Sequence, residues 1–173
     1  SSEKMSFVFT TGSGQADFEN IQAVVAENWK AIGVQTTVEN RPSRGADYND
    51  WLFQRMWKGV YLLQRGSRPD RLPDIWASTD IPRKENGWSG SNLSVWSNPQ
   101  GDALIKQIIT EPDLAKRQAL NNQFLDLWTT ELPHLPILIA PDIAVVRQGL
   151  SGVKPDGSNN PDTYNIQQWM WTK

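Results

Sequence analysis

FVFTTGSGQADFENIQAVVAENWKAIGVQTTVE, residues 7–39, decides the fold. Phe7-Val8-Phe9-Thr10 is aromatic and β-branched, which predicts a strand, and Gly12-Ser13-Gly14 ends it. Phe18, Ile21, Val24, Val25, Trp29 and Ile32 then recur with the 3.6-residue period of a helix that buries one stripe. Asp17 is read as the N-cap, because its carboxylate can accept from backbone donors left unpaired in the first turn. Gly33 supplies the left-handed residue that stops a helix. From Val34 to Glu39, Val34, Thr36 and Val38 alternate with Gln35, Thr37 and Glu39, as in a strand with one buried face. Strand, helix and strand with tight joints predict a right-handed crossover between two parallel strands.

The pattern then repeats with variation. Arg41-Pro42-Ser43-Arg44-Gly45 turns the chain, and Asp47–Trp57 places Tyr48, Trp51, Leu52 and Met56 at helical spacing. Lys58-Gly59 stops that helix, and Val60-Tyr61-Leu62-Leu63 predicts a buried third strand. From Gln64 to Pro99 periodicity disappears, although Trp76, Trp88 and Trp96 argue for an ordered loop system, which at this length is usually functional. Asn98-Pro99 starts a helix with stripe Leu104, Ile105, Ile108 and Ile109. Asp113 caps another, with stripe Leu120, Phe124, Leu127 and Trp128. Residues 137–140 and 143–146 are expected as two short buried strands, and Tyr164–Trp171 as an edge strand. The sum is an α/β lobe with a mixed, mostly parallel sheet flanked by helices, expected to be a single domain over 1–173.

Composition excludes several functions. A net charge of −2 without a basic run gives no footprint for nucleic acid. No apolar stretch approaches the roughly 20 residues that span a bilayer. Ser1-Ser2-Glu3-Lys4-Met5 leads directly into the first strand and reads as the start of a piece cut from a longer chain. With no Cys and one His, neither a thiolate nor a His-based metal site can be built, so no metal and no cofactor is expected. The third glycine of a dinucleotide fingerprint is replaced by Asp17, whose charge would repel phosphate, so the glycine turn reads as a connection. His134 between Pro133 and Leu135 is a poor catalytic base, and Asp70 and Asp74 read as solvated acids rather than a glycosidase pair. The chain is therefore read as a binding protein and not an enzyme, the rival being a small hydrolase using His134 or the loop acids. Nine tryptophans either fill the core or stack on flat ligands. Arg65, Ser67, Arg68, Asp70, Trp88, Asn92 and Trp96 form the expected ligand-binding set, since charge pairing and stacking grip a polar ligand without reacting with it.

Asn28-Trp29-Lys30-Ala31-Ile32-Gly33-Val34, Lys58-Gly59-Val60-Tyr61, Ile81-Pro82, Asn86-Gly87-Trp88-Ser89-Gly90 and Trp96-Ser97-Asn98-Pro99 occur in that order. Asp113-Leu114-Ala115-Lys116-Arg117-Gln118-Ala119-Leu120, Glu131-Leu132-Pro133-His134-Leu135-Pro136-Ile137 and Leu150-Ser151-Gly152-Val153-Lys154-Pro155 follow. The series resembles the motif order of bacterial extracellular solute-binding proteins of family 5, the peptide- and nickel-type receptors of ABC importers. Each motif is weak alone, and the combination is specific. The resemblance implies a type II periplasmic-binding-protein-like fold and the C-terminal lobe of a longer two-lobed receptor, whose residues 164–173 begin the return to an N-terminal lobe. It further implies a periplasmic or otherwise extracytoplasmic, membrane-anchored parent, monomeric, that delivers a peptide or other polar oligomer to an ABC permease. Several peptide receptors of the family carry an acid just after the third strand that pairs with the ligand's amino terminus. Here Arg65 and Arg68 stand there, with Asp70 as the one acid, so an oligosaccharide receptor lobe or a carbohydrate-binding module is the alternative.

Overall fold

The computed structural model describes residues 4–45, 47–64, 74–139, 144–154 and 163–172. The chain divides into two compact units, one formed by Ser1–Arg65 with Ser78–Trp96 and the other by Gly66–Ala77 with Ser97–Lys173.

The first unit is built on β1 (Ser6–Thr10), α1 (Ala16–Ala31), β2 (Gln35–Val38), α2 (Tyr48–Phe53) and β3 (Val60–Tyr61). Both crossovers give parallel pairs, in the order β2-β1-β3, with Ser6 opposite Gln35 and Thr10 opposite Tyr61. Phe7 and Phe9 of β1 pack on Trp29 of α1 with ring centroids 5.1 and 5.0 Å apart. The centre of α1 is a polar surprise. Gln22 is 2 % exposed, and its Nε2 donates to the Phe9 carbonyl at 2.7 Å and to Asn40 Oδ1 at 2.8 Å. Asn40 Nδ2 returns a bond to Gln22 Oε1 at 2.9 Å, and Asn40 Oδ1 also accepts from the Thr11 N–H at 3.1 Å. This exchange satisfies buried groups that would each cost about 1–3 kcal/mol if left unpaired.

Two expectations for α1 are corrected. Its N-cap is Gln15, without a side-chain cap bond, and Asp17 lies inside the first turn, where its charge complements the helix dipole. The Glu19 carboxylate instead accepts the Gly14 N–H at 2.9 Å. Val24 and Ile32 of the predicted stripe are 63 % and 76 % exposed, because the three-stranded sheet covers only part of the helix. Helix α2 is shorter than expected, closing after Phe53. Its Trp51 is nonetheless buried, edge-on to Tyr61 at 5.2 Å and 5.7 Å from Trp57. The described part of the irregular stretch, residues 74–99, is ordered as expected, through short 3₁₀ turns at Ser78–Asp80 and Lys84–Asn86 with Ile81 and Leu93 buried. Arg55 Nη1 donates to the Pro82 carbonyl at 2.9 Å and ties the end of α2 to this loop.

In the second unit α3 (Pro99–Thr110) packs against α4 (Leu114–Glu131). Both predicted caps are present: Asn98 Oδ1 accepts from the N–H groups of Gln100 and Gly101, and Asp113 Oδ1 from that of Lys116. Leu104, Ile105, Ile108 and Phe124 are buried. Trp76 meets the ring of Trp128 at 5.3 Å and that of His134 at 4.5 Å, both edge-on. Strands β4 (Leu150–Ser151) and β5 (Met170–Trp171) pair antiparallel, so the expected edge strand is reduced to its last two residues after a 3₁₀ turn at Ile166–Gln168. The two buried strands expected over 137–140 and 143–146 do not form among the described residues. Residues 137–139 and 144–146 belong to no strand, and Ile139 and Val145 are 97 % and 95 % exposed. Apolar β-branched composition suits a strand only when neighbours supply ladder bonds and cover both faces.

Candidate ligand-binding site

The strand order fixes where a site can form. From central β1 the chain crosses by α1 to β2, and from β2 by α2 past β1 to β3, so the two crossovers run in opposite directions across the sheet and the strand order reverses at β1. Ligands of open α/β sheets bind in the crevice at such a switch point. An open pocket of about 240 Å³ lies there. Thr11 and Gly12 after β1, Gln15 and Phe18 at the head of α1, Ser43 and Tyr48 before and within α2, and Tyr61 to Gln64 at and after β3 line it.

The lining is held by cross-segment bonds. Thr11 Oγ1 donates to the Leu62 carbonyl at 3.0 Å, and the Leu62 N–H donates to the Thr10 carbonyl at 2.9 Å, joining the ends of β1 and β3. The Ser13 N–H donates to the Arg41 carbonyl at 2.8 Å, fixing the glycine turn against the end of β2. Gln15 Nε2 donates to Ser43 Oγ. A Cβ on Gly12 would lie 2.7 Å from Gln15 Nε2 and 3.1 Å from Ser43 Oγ, so this glycine leaves room for that bond. The turn read from sequence as a mere connection is therefore a wall of the pocket.

The phenol oxygens of Tyr48 and Tyr61 lie 3.0 Å apart. Burial first, and then the Tyr48 hydroxyl, raise the Tyr61 pKa far above the ordinary phenol value, so this side chain stays neutral. Beside the aromatic cluster, Arg41 Nη2 pairs with Asp47 Oδ2 at 2.7 Å and its guanidinium lies 4.5 Å from the centre of the Trp51 ring. That hydrogen bond holds the Asp47 carboxyl below its usual range. Among the described lining residues none carries a formal charge.

Arg65, Ser67, Arg68 and Asp70 of the expected binding set lie outside the described residues. Trp88, Asn92 and Trp96 belong to the first unit, and none of them lines this pocket. Trp88 is half-buried with φ +60°. Asn92 is fully buried and committed to its own loop: its N–H donates to the Asp80 carbonyl at 3.0 Å, its Nδ2 to the Trp96 carbonyl at 2.8 Å, and its Oδ1 accepts from Ser94 at 3.0 Å. Sequence reasoning placed the site after the third strand but missed Thr11, Gln15, Ser43, Tyr48 and Tyr61. The available signal was the pair of predicted crossovers, since residues at the carboxyl ends of neighbouring parallel strands converge. Among the described residues no cluster of three or more His, Cys, Asp or Glu could hold a metal ion, and no helix is long and apolar enough to cross a membrane.

No family model and no curated protein matches the chain. Solved structures do. The oligopeptide-binding protein of Thermus thermophilus, complexed with a pentapeptide, matches 86 % of the chain at 26 % identity with a TM-score of 0.75. The murein tripeptide-binding protein MppA of Escherichia coli matches 98 % at 19 % identity and 0.68, and NikZ of Campylobacter jejuni, in complex with Ni(L-His), 95 % at 16 % identity and 0.64. The chain spans 26 %, 31 % and 33 % of the lengths of these three proteins. The chain thus has the α/β fold of a lobe of these proteins, which are extracellular solute-binding proteins of family 5.

Proposed function

We propose that the chain is the C-terminal lobe of a two-lobed receptor that holds a peptide or other polar oligomer and delivers it to an ABC permease. The observation that carries this reading is the open pocket at the carboxyl ends of β1 and β3, walled by hydroxyl, amide and aromatic groups and lacking a paired base and nucleophile among its described lining residues. The pentapeptide complex of the Thermus thermophilus relative supports the ligand class. In this reading 1–173 forms one lobe and 164–173 begins the return to an N-terminal lobe. The parent is a monomer held outside the cytoplasm, and Arg65, Ser67, Arg68, Asp70, Trp88 and Trp96 contact ligand, while the buried Asn92 holds the loop that carries Trp96. An oligosaccharide is the second reading, favoured by the aromatic walls Tyr48 and Tyr61.

Calorimetric titration of the longer parent protein with mixed tripeptides to pentapeptides and with neutral oligosaccharides tests it. One class saturating the protein, with binding weaker by at least about tenfold for the 173-residue chain alone, is the expected result. Hydrolysis of the bound ligand, abolished by His134→Ala, would overturn it.

A further inference from the structure

We infer that the pocket at the switch point accepts one uncharged hydrogen-bonding group of a larger ligand and discriminates against carboxylate and ammonium groups. The inference rests on the binding reading above and adds the chemistry of the group received. Size comes first. At about 240 Å³ the pocket is smaller than the roughly 300–1,000 Å³ of sites that enclose a whole drug-sized ligand, so it seats a part.

Charge comes second. The described lining residues are all neutral at physiological pH. Arg41 and Asp47, flanking Ser43 in sequence, are paired with each other at 2.7 Å, and the guanidinium also lies over Trp51. An ionised group entering the pocket would shed water without meeting an opposite charge among the described lining residues, whereas a neutral amide or hydroxyl needs only hydrogen bonds.

The hydrogen-bond inventory supplies those bonds. Tyr48 and Tyr61 share one hydroxyl hydrogen across 3.0 Å, which leaves the second hydrogen of the pair for a ligand acceptor. Ser43 Oγ accepts from Gln15 and keeps its own hydrogen to donate. Thr11 Oγ1 donates to Leu62 and keeps lone pairs to accept, as does Gln15 Oε1. Donors and acceptors in equal measure match a group that is both, such as a carboxamide or a sugar hydroxyl pair. The neutral phenol of Tyr61 keeps this inventory constant across physiological pH.

Nuclear magnetic resonance titration of the isotopically labelled chain separates the outcomes, with Ala-Gln-Ala, Ala-Glu-Ala, Ala-Lys-Ala, cellobiose and glucuronate as probes. Ala-Gln-Ala or cellobiose should shift the backbone amides of Thr11, Ser43 and Leu62 with an affinity at least about tenfold above the charged probes. Which of the two does so tells a peptide side chain from a sugar. Tyr61→Phe, and independently Ser43→Ala, should each weaken that binding by about three- to tenfold, the effect of one neutral hydrogen bond. Equal or tighter binding of Ala-Glu-Ala, Ala-Lys-Ala or glucuronate at these amides would overturn the inference and leave the binding reading intact. Shifts confined to other residues, or shifts nowhere with any probe, would do the same, since the binding reading is decided on the longer parent protein.

Discussion

Tyr61 joins the two roles of the first unit, because one residue closes the sheet and walls the pocket. Its ring packs on Trp51 and Trp57, and its hydroxyl meets that of Tyr48. Burial and this partner raise its pKa far above the ordinary 10.0. The sign of the consequence follows from proton counting. Above pH 10.0 the unfolded chain, with an ordinary phenol, has lost a proton that the native chain retains, so stability falls as pH rises. Below that pH the contribution is fully present. Denaturant unfolding followed from neutral pH to beyond 10.0 should show this alkaline loss, and Tyr61→Phe should diminish it. An unchanged alkaline slope in the variant would mean that Tyr61 titrates like an exposed phenol.

At the scale of elements, the joint between α2 and β3 is the most constrained. Gly59 adopts φ +73°, and a Cβ there would lie 2.4 Å from the Val8 carbonyl oxygen and 3.0 Å from the Val8 nitrogen. The Lys58-Gly59-Val60-Tyr61 motif thus has a physical basis: the chain must pass against the backbone of β1 before pairing with it. Gly59→Ala should cost about 1–3 kcal/mol from the positive φ alone, with the backbone clash adding to it. Hydrogen exchange reports it directly, since the Leu62 N–H donates to the Thr10 carbonyl across this pair and should lose protection while the amides of α4 keep theirs. Retained protection at Leu62 would show that β1 and β3 tolerate the methyl group.

For the whole molecule, the described residues leave strand-like sequence without strand structure. Leu138, Ile139 and Val145 are 57 %, 97 % and 95 % exposed, although their composition matches buried strands. Polar substitution at a buried Ile or Val would cost several kcal/mol, whereas at an exposed position it stays within about 0.5 kcal/mol. Ile139→Ser and Val145→Ser should therefore leave the denaturation midpoint of the 173-residue chain nearly unchanged. A loss of more than about 2 kcal/mol would mean that these side chains are packed in solution.

What the sequence by itself determined is local. Helix α1 and strand β2, the caps Asn98 and Asp113 and the two crossovers were legible because each depends on residues within a few positions of one another, although Val24, Ile32 and Val38 of the expected buried faces are exposed. The order of short motifs added a resemblance to a family whose solved members share this fold. Tertiary structure decided the rest. Gln22, polar and mid-helix, is buried because Phe9 and Asn40 present an acceptor and a matching amide from two other segments. Residues 137–139 form no strand because strand formation requires a partner, which no local pattern supplies. The pocket draws on four segments that meet only through the β2-β1-β3 pairing, so its neutral lining follows from topology rather than from any one motif.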